Sequence, residues 1–320
     1  MQRIGLAELE SAAAIVHAVI PPTPQYNWPL LSERAGFEAW VKHENHTPIG
    51  AFKVRGGLVY MDELTRSGRP VAGVISATRG NHGQSIALAA RLNGTSCTVF
   101  VPRGNNPEKN AAMRAFGATV EEGGHDFDDA RGRCEQRAAE TGARYVHSAN
   151  EPLLIAGVGT YALELFEQIP DVDVVLVPVG GGSGACGLIT VRNALGSRTR
   201  IVGVGAAEAD AIARSWRGPD RVVGSSASTF AEGIATRVTF DLTFGIMKQH
   251  LDDFVLLTED ELAEGVRVAL RTTHNLAEGA GSASIAAAMK LGGTLAGQRV
   301  ACVMSGGNLD QAKLRWLLGA

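Results

Sequence analysis

Short apolar runs recur along the chain, and each is followed by glycine or small polar residues. Valine, isoleucine and other apolar residues fill both alternating faces of these runs, and each run is short enough for a single strand. Strands that are apolar on both faces are typical of parallel sheets covered on both sides. The predicted strands cover residues 71–76, 97–101, 174–179, 201–204 and 300–304.

Segments with the apolar spacing of a helix lie between these runs. The predicted helices cover residues 83–93, 106–116, 128–141, 153–168 and 259–275. This alternation predicts an α/β fold in which open, twisted and mostly parallel sheets are flanked by helices. Because no repeat or proline-rich linker divides the chain, we expect a second domain to be interleaved with the first.

Composition limits the class of protein. The chain has 320 residues, of which 45% are hydrophobic and 20% charged, and its net charge is −3. Its basic residues are scattered, so nucleic acid is not an expected partner. We expect neither export nor membrane anchoring, because no stretch reaches the ~18 apolar residues of a membrane span. Four widely spaced cysteines favour reduced thiols and a cytoplasmic location; they are Cys97, Cys134, Cys186 and Cys302.

Glycine is enriched where predicted strands end, which is where parallel sheets bind ligands. The chain has 39 glycines, against an average of about 7%. The loop with the strongest signal for ligand binding follows the run at 174–179 and leads into a predicted helix. It contains Gly180, Gly181, Gly182, Ser183 and Gly184. Backbone N–H groups at the start of a helix bind anions, so we interpret this loop as a phosphate site rather than as a tight turn that needs glycine only for its backbone conformation. No P-loop lysine follows, and the match to the dinucleotide-binding pattern is weak.

Two further loops also follow a predicted strand and contain glycine and polar residues. The loop at 74–84 places Thr78, Asn81 and His82 at a predicted helix start, where they suit a carboxylate. Helix capping and simple packing are the alternatives for these side chains. Ser305 ends the run at 300–304, so its hydroxyl group either faces the same crevice or caps the final helix.

Lys53 is a candidate reactive amine between Phe52 and Val54. A buried lysine is partly uncharged and can react with an aldehyde cofactor. A solvated lysine whose stem packs on apolar neighbours is the ordinary alternative. This segment by itself does not decide between the two.

Four short motifs occur in one order along the chain, at residues 51–57, 80–84, 180–184 and 305–308. Together they resemble the fold type II family of pyridoxal-phosphate enzymes, near the threonine/serine dehydratases and serine racemase. The likeness runs nearly end to end, with smaller matches at 150–152 and 231–235. It implies a large cofactor-binding domain of residues 1–50 and 147–320, a small domain of residues 51–146, and an active site in the cleft between them. A homodimer is also implied.

The resemblance implies a cofactor, pyridoxal 5′-phosphate, and a role for each matching residue. Lys53 is implied as the Schiff-base lysine and the catalytic residue. Phe52 flanks the cofactor ring, Asn81 binds its 3′-oxygen, and Ser305 meets the pyridine nitrogen. The residues at 180–184 hold the phosphate.

The implied reaction is β-elimination from a small-molecule amino acid. Loss of the β-hydroxyl group of threonine, serine, phenylserine or 3-hydroxyaspartate gives a 2-oxo acid and ammonia. A racemase or a β-replacement synthase on the same cofactor is the alternative, and a nucleotide-binding oxidoreductase is a distant one.

Four residues are implied to meet the substrate. Thr78, Asn81 and His82 surround its carboxylate. Arg79 takes the place of a serine that donates a proton in serine racemase, and an arginine with a pKa above ~12 is a poor proton shuttle. Arg79 either contacts the substrate's side chain, for example a β-carboxylate, or is solvated at the crevice mouth.

No metal ion is expected. Some relatives bind a divalent cation through a glutamate after the strand that follows the phosphate loop, and Gly205 takes that place here. We interpret Glu208 as a solvated acid at a helix start. The chain ends soon after Ser305, so feedback through an appended regulatory domain is not expected.

Overall fold

The computed structural model describes residues 4–125 and 127–319, and its strands form two sheets. The strands are β1 (Gln25–Asn27), β2 (Glu38–His43), β3 (Val74–Ala77), β4 (Cys97–Val101), β5 (Thr119–Glu122), β6 (Arg144–Tyr145), β7 (Val174–Pro178), β8 (Arg200–Ala206), β9 (Asp253–Leu257) and β10 (Arg299–Met304). The larger sheet has the order β1-β2-β10-β7-β8-β9, and the smaller has the order β5-β4-β3-β6. All neighbouring strands are parallel except β1 and β2.

Helices flank both sheets. They are α1 (Leu6–His17), α2 (Pro29–Ala35), α3 (Lys53–Arg66), α4 (Asn81–Leu92), α5 (Pro107–Ala115), α6 (Phe127–Thr141), α7 (Pro152–Gln168), α8 (Ser183–Leu195), α9 (Ala211–Arg217), α10 (Asp241–His250), α11 (Glu259–Thr273), α12 (Gly279–Leu291) and α13 (Gln311–Leu318). Among the described residues, no helix is both long and apolar enough to cross a membrane.

The larger sheet is buried on both faces, which explains its continuous apolar strands. Along β10, Val300 and Cys302 pack in one core with α11 and α12, whereas Ala301 and Val303 pack in another with α7 and α8. The predicted α/β fold with helix-flanked parallel sheets is therefore confirmed.

The predicted strands and helices are all present, and their ends differ from the prediction by at most three residues. The largest difference is at β3, which begins at Val74 because Gly73 adopts a φ of 138° and lies against Ser96. Other elements lie outside the predicted set: strand β2, the edge strands β1, β5, β6 and β9, and helices α1, α2, α3, α9, α10 and α12. Of these, α3 begins at Lys53.

Two glycines allow helix α3 to lie directly against α7. A Cβ atom on Gly157 would stand 2.4 Å from the backbone oxygen of Arg55, and one on Gly56 would stand 2.9 Å from that of Leu154. A side chain at either position would push the helices apart. Since α3 begins at Lys53, this close contact sets the position of its amine.

Buried ion pairs hold the same helix. Arg55 is fully buried, with its Nε 2.7 Å from Glu44 Oε2 and its Nη1 2.6 Å from Glu164 Oε1. Lys42 Nζ lies 2.5 Å from Glu164 Oε2. Burial raises the pKa of Glu164, but the charges and hydrogen bonds of Arg55 and Lys42 outweigh it and lower that pKa to about 2. Removing one partner would leave an uncompensated buried charge, so these pairs anchor the start of α3 firmly.

Candidate active site

The carboxyl ends of β3, β7 and β10 open onto one cleft of about 540 Å³. This volume lies within the usual range of small-molecule sites. The cleft brings together all the residues predicted for the site: Phe52, Lys53, Thr78, Arg79, Asn81, His82, Gly180, Gly181, Gly182, Ser183, Gly184 and Ser305. Their individual roles stay predictions.

The glycine run forms a cradle of unpaired donors at the start of α8. In the described part of the chain, the backbone N–H groups of residues 181–185 donate to no other protein group. Gly182 adopts a φ of 90°, and a Cβ atom on Gly180 would stand 2.1 Å from the backbone oxygen of Gly233. These positions therefore require glycine, and their free N–H groups at a helix start suit a phosphate.

Lys53 points its amine at this cradle. Its Nζ donates to Ser183 Oγ at 2.9 Å and to the backbone oxygen of Ser148 at 3.4 Å. The side chain is partly buried and has no carboxylate partner among the described residues. Burial lowers its pKa to about 8. About a tenth of the amine is therefore uncharged at pH 7, as a nucleophilic lysine requires.

Phe52 and Ser305 are joined through the backbone beside this lysine. The N–H of Phe52 donates to the backbone oxygen of Ser305 at 3.1 Å, and Ala51 forms an isolated bridge with Gly306. The Phe52 ring centre lies 5.1 Å from Lys53 Nζ. Among the described residues, Ser305 Oγ makes one long contact, of 3.5 Å with the Ala280 oxygen, so its hydroxyl group can turn into the cleft.

The start of α4 offers backbone donors and two polar side chains. Thr78 Oγ1 accepts from the Gly80 N–H at 3.1 Å. His82 Nε2 faces the Val146 oxygen at 3.3 Å, and burial with the nearby Lys53 charge lowers the His82 pKa to about 3. The ring is thus neutral and donates through Nε2, which leaves Nδ1 without a proton. Any donation from His82 to a substrate carboxylate must therefore come from its backbone N–H.

Asn81 is held by two residues that the sequence reasoning did not assign. Its Nδ2 donates to Glu278 Oε1 at 2.6 Å, and its Oδ1 accepts from Asn308 Nδ2 at 2.8 Å. Glu278 is buried, which raises its pKa. Asn308 belongs to the quoted 305–308 motif, and Glu278 immediately precedes the glycine-rich start of α12, so each had a local signal. Together they orient the Asn81 amide so that Nδ2 keeps one hydrogen for the cleft.

Further cations line the cleft, and sequence reasoning missed them as well. Lys109 Nζ lies 2.5 Å from Glu232 Oε2. Asp128 pairs with both Arg131, at 3.3 Å, and Arg237. Glu232 lies in the quoted 231–235 match. The pairs of Lys109 with Glu232 and of Arg237 with Asp128 join segments distant in sequence, so no local pattern indicates them.

The position of the relatives' metal-binding glutamate is closed by packing. A Cβ atom on Gly205 would stand 2.9 Å from Phe254 Cε1 and 3.3 Å from Leu256 Cδ2. Glu208 is exposed in a short 3-10 turn. Within residues 4–125 and 127–319 no cluster of three metal-ligating side chains occurs.

Comparison with known proteins identifies the family. A family model described as pyridoxal-phosphate dependent enzyme matches residues 16–306. The chain belongs to this family. The L-threonine ammonia-lyase of Thermotoga maritima is 36% identical over 96% of this chain and 76% of that protein. The L-threonine ammonia-lyase of Geobacter sulfurreducens is 38% identical over 87% of this chain and 69% of that protein. The structure of maize serine racemase is similar with a TM-score of 0.91 and 25% identity, covering 98% of this chain and 97% of that one.

The cofactor of this pyridoxal-phosphate-dependent enzyme is thus pyridoxal phosphate, and the protein is a lyase that catalyses β-elimination from a hydroxy amino acid. The cleft fits that cofactor on its own geometry. Unpaired donors at 181–185 suit its phosphate, and a lysine of lowered pKa stands beside them to meet its aldehyde. Family membership removes the nucleotide-binding oxidoreductase alternative.

Proposed function

We propose that this lyase removes the β-hydroxyl group of a threonine-, serine-, phenylserine- or 3-hydroxyaspartate-type amino acid, giving a 2-oxo acid and ammonia, with Lys53 as its catalytic residue. The observation that carries the proposal is the 2.9 Å contact between Lys53 Nζ and Ser183 Oγ at the edge of an unpaired N–H cradle. This contact supports the assignment of Lys53 as a reactive amine beside a phosphate site. The threonine ammonia-lyase names of the two relatives support the same reaction.

Lys53 both holds the cofactor and moves the protons. Its free amine would hold the cofactor through the aldehyde, and Nζ would accept the substrate's α-proton. The Lys53 ammonium then returns a proton to the β-oxygen, so that the C–O bond breaks and water leaves. Ser183 Oγ keeps Nζ in place between these two transfers. Hydrolysis of the unsaturated product yields the 2-oxo acid and ammonia.

The remaining residues position the cofactor and favour elimination. The bound cofactor supplies an electron sink for the α-carbon. The residues at 180–184 would hold its phosphate, Phe52 would flank its ring and Asn81 would donate to its 3′-oxygen. Ser305 would offer the ring nitrogen a neutral hydroxyl group, which is a weaker partner than a carboxylate and would favour loss of the β-hydroxyl group.

Racemisation is the second candidate, supported by the likeness to maize serine racemase. It requires a proton donor on the face opposite Lys53. Arg79 stands where the resemblance to serine racemase places a serine, and an arginine side chain is a poor proton shuttle. Elimination is therefore the function that the site supports better.

We also propose that the cleft separates a large domain, residues 1–50 and 147–320, from a small one, residues 51–146. The strands of the smaller sheet, which run from 74 to 145, support this division. The resemblance to the dehydratases supports a homodimer, and the buried free cysteines support a cytoplasmic location.

A panel assay tests the function. The purified protein with pyridoxal phosphate should release 2-oxo acid and ammonia in equal amounts from β-hydroxy amino acids, tested as both stereoisomers at each centre. Alanine, which lacks a leaving group, is the control substrate and should release neither. Inversion of serine without 2-oxo acid would instead identify a racemase, and amino acid formation that depends on an added thiol would identify a synthase.

Asn308→Ala should disturb the cofactor ring through Asn81. Loss of the 2.8 Å contact frees the Asn81 amide to turn, so its hydrogen bond to the cofactor's 3′-oxygen should weaken. We expect pyridoxal phosphate to bind about 3–10-fold less tightly, the range for one neutral hydrogen bond. A hydrogen-bond donor stabilises the ionised ring oxygen of the cofactor. Weakening that hydrogen bond should therefore raise the pH at which the visible absorbance changes.

Asn93→Ala is the matched control for this prediction, since Asn93 caps the far end of α4 outside the cleft. It should leave both cofactor affinity and the absorbance titration at wild-type values. An unaltered titration in Asn308→Ala would show that Asn308 does not act on the ring through Asn81.

A further inference from the structure

Arg79 differs from the other cations of the cleft in having no partner. Its side chain is exposed, lines the cleft and makes no ion pair or hydrogen bond with any residue of 4–125 or 127–319. By contrast, Lys109, Arg131 and Arg237 each pair with a carboxylate. Arg79 therefore keeps all its side-chain donors for a ligand.

Among the residues that the structure describes, the cleft offers Arg79 no spare carboxylate. Asp128 is shared by two arginines, Glu232 by two lysines, and Glu278 is bound by Asn81. A guanidinium carries five donors in a planar fork that matches a carboxylate. The natural partner for Arg79 is thus an anion that enters the cleft with the substrate.

Hydrogen bonds hold the backbone around Arg79, so the position of its Cα atom at the cleft is fixed. Asn105 Nδ2 donates to the Arg79 oxygen at 3.3 Å and to Asn110 Oδ1 at 2.6 Å. The free N–H groups at the start of α4 follow directly, and they suit the substrate's α-carboxylate. The guanidinium, on a long side chain beside them, is placed to meet a second acidic group on the same molecule.

We propose that Arg79 binds a second carboxylate, and that the preferred substrates are β-hydroxy amino acids with an acidic side chain, the 3-hydroxyaspartate class. This inference rests on the proposed β-elimination. The α-C–H and β-C–O bonds of hydroxyaspartate break and water leaves. One water then hydrolyses the unsaturated amine, so the net products are a 2-oxo dicarboxylic acid and ammonia, and no oxidant is needed.

Substrate discrimination tests the inference. The holoenzyme is assayed for 2-oxo acid release from 3-hydroxyaspartate, threonine, serine and phenylserine, in the wild type, Arg79→Ala and Arg79→Lys. We expect the wild type to prefer hydroxyaspartate over threonine at least about tenfold in kcat/KM. Arg79→Ala should lower kcat/KM for hydroxyaspartate about 10–100-fold, the range for a charge-assisted hydrogen bond, and change that for threonine less than about threefold. Arg79→Lys should retain part of the preference, because it keeps the charge but not the fork.

Arg103→Ala is the matched control, because Arg103 is exposed in the next loop and does not line the cleft; it should leave every ratio unchanged. An equal loss on all substrates in Arg79→Ala would place the guanidinium on the α-carboxylate, and a loss confined to phenylserine would indicate ring stacking. Either result, and equally an unchanged substrate preference, overturns the inference about Arg79. In each of these cases, continued turnover of threonine would still support the proposed β-elimination. A wild type that binds the cofactor but eliminates from none of the four substrates overturns the proposed function itself.

Discussion

Lys53→Ala should abolish both the visible absorbance of the bound cofactor and catalytic turnover. In the proposed mechanism the amine is the nucleophile for the aldehyde and the base for the α-proton, and one proton-transfer group accounts for about 10²–10⁴-fold of rate. Since the proposal gives Lys53 both roles, we expect 2-oxo acid release to fall by at least about 10³-fold. Lys53 makes no ion pair among the described residues, so thermal unfolding should change little. Absorbance spectra, the assay and a melting curve measure the three effects.

Lys290→Ala is the control and should behave as the wild type, because Lys290 is exposed and neither it nor its partner Glu261 lines the cleft. Ordinary turnover in Lys53→Ala would rule out the catalytic assignment. The pH dependence of cofactor capture by the apoprotein checks the same amine. With a pKa of about 8, the reactive form increases as pH rises, so the capture rate should grow about tenfold between pH 7 and pH 9 and then level off.

Gly180→Ala should weaken cofactor binding and destabilise the fold. The new Cβ atom would stand 2.1 Å from the Gly233 backbone oxygen, and neither backbone can yield as a flexible side chain does. Overpacking of this kind typically lowers the free energy of unfolding by about 1–3 kcal/mol. Displacement of the 180–184 loop should also misalign its N–H groups, and we expect the Kd of pyridoxal phosphate to rise at least about tenfold, as the loss of one charge-assisted hydrogen bond implies.

Gly245→Ala provides the contrast for this prediction. Gly245 lies inside α10 with no atom within 4 Å of the added Cβ position. Alanine should therefore stabilise that helix by up to about 1 kcal/mol and leave the Kd unchanged. Spectrophotometric titration of the apoprotein and denaturant unfolding measure both variants. Wild-type affinity and stability in Gly180→Ala would show that the loop is not packed as tightly as its geometry indicates.

The centres of the main elements were predictable because their signals are local. Two-sided apolar runs such as 174–179 and 300–304 correspond to strands that are buried on both faces. The edge strands were not predictable in this way. β6 has two residues and β5 is only partly buried, so neither carries a continuous apolar pattern.

The interactions that orient the site residues were less accessible than the residues themselves. Asn81 and Glu278 are separated by 197 positions, yet their side chains are 2.6 Å apart. The orientation of His82 depends on a backbone oxygen at Val146. Pairing of this kind follows from how the two sheets approach each other, and no pattern within either segment indicates it.

The sequence by itself determined the fold class, the glycine loop at a strand end and part of the set of residues that line the cleft. It did so because strand burial, glycine conformation and position at a strand end are properties of neighbouring residues. Only the tertiary structure decided that Lys53 is partly buried against Ser183 with a lowered pKa, and that the Arg79 side chain has no partner among the described residues. Burial and charge pairing depend on atoms from distant segments, so they are defined only once the chain has folded.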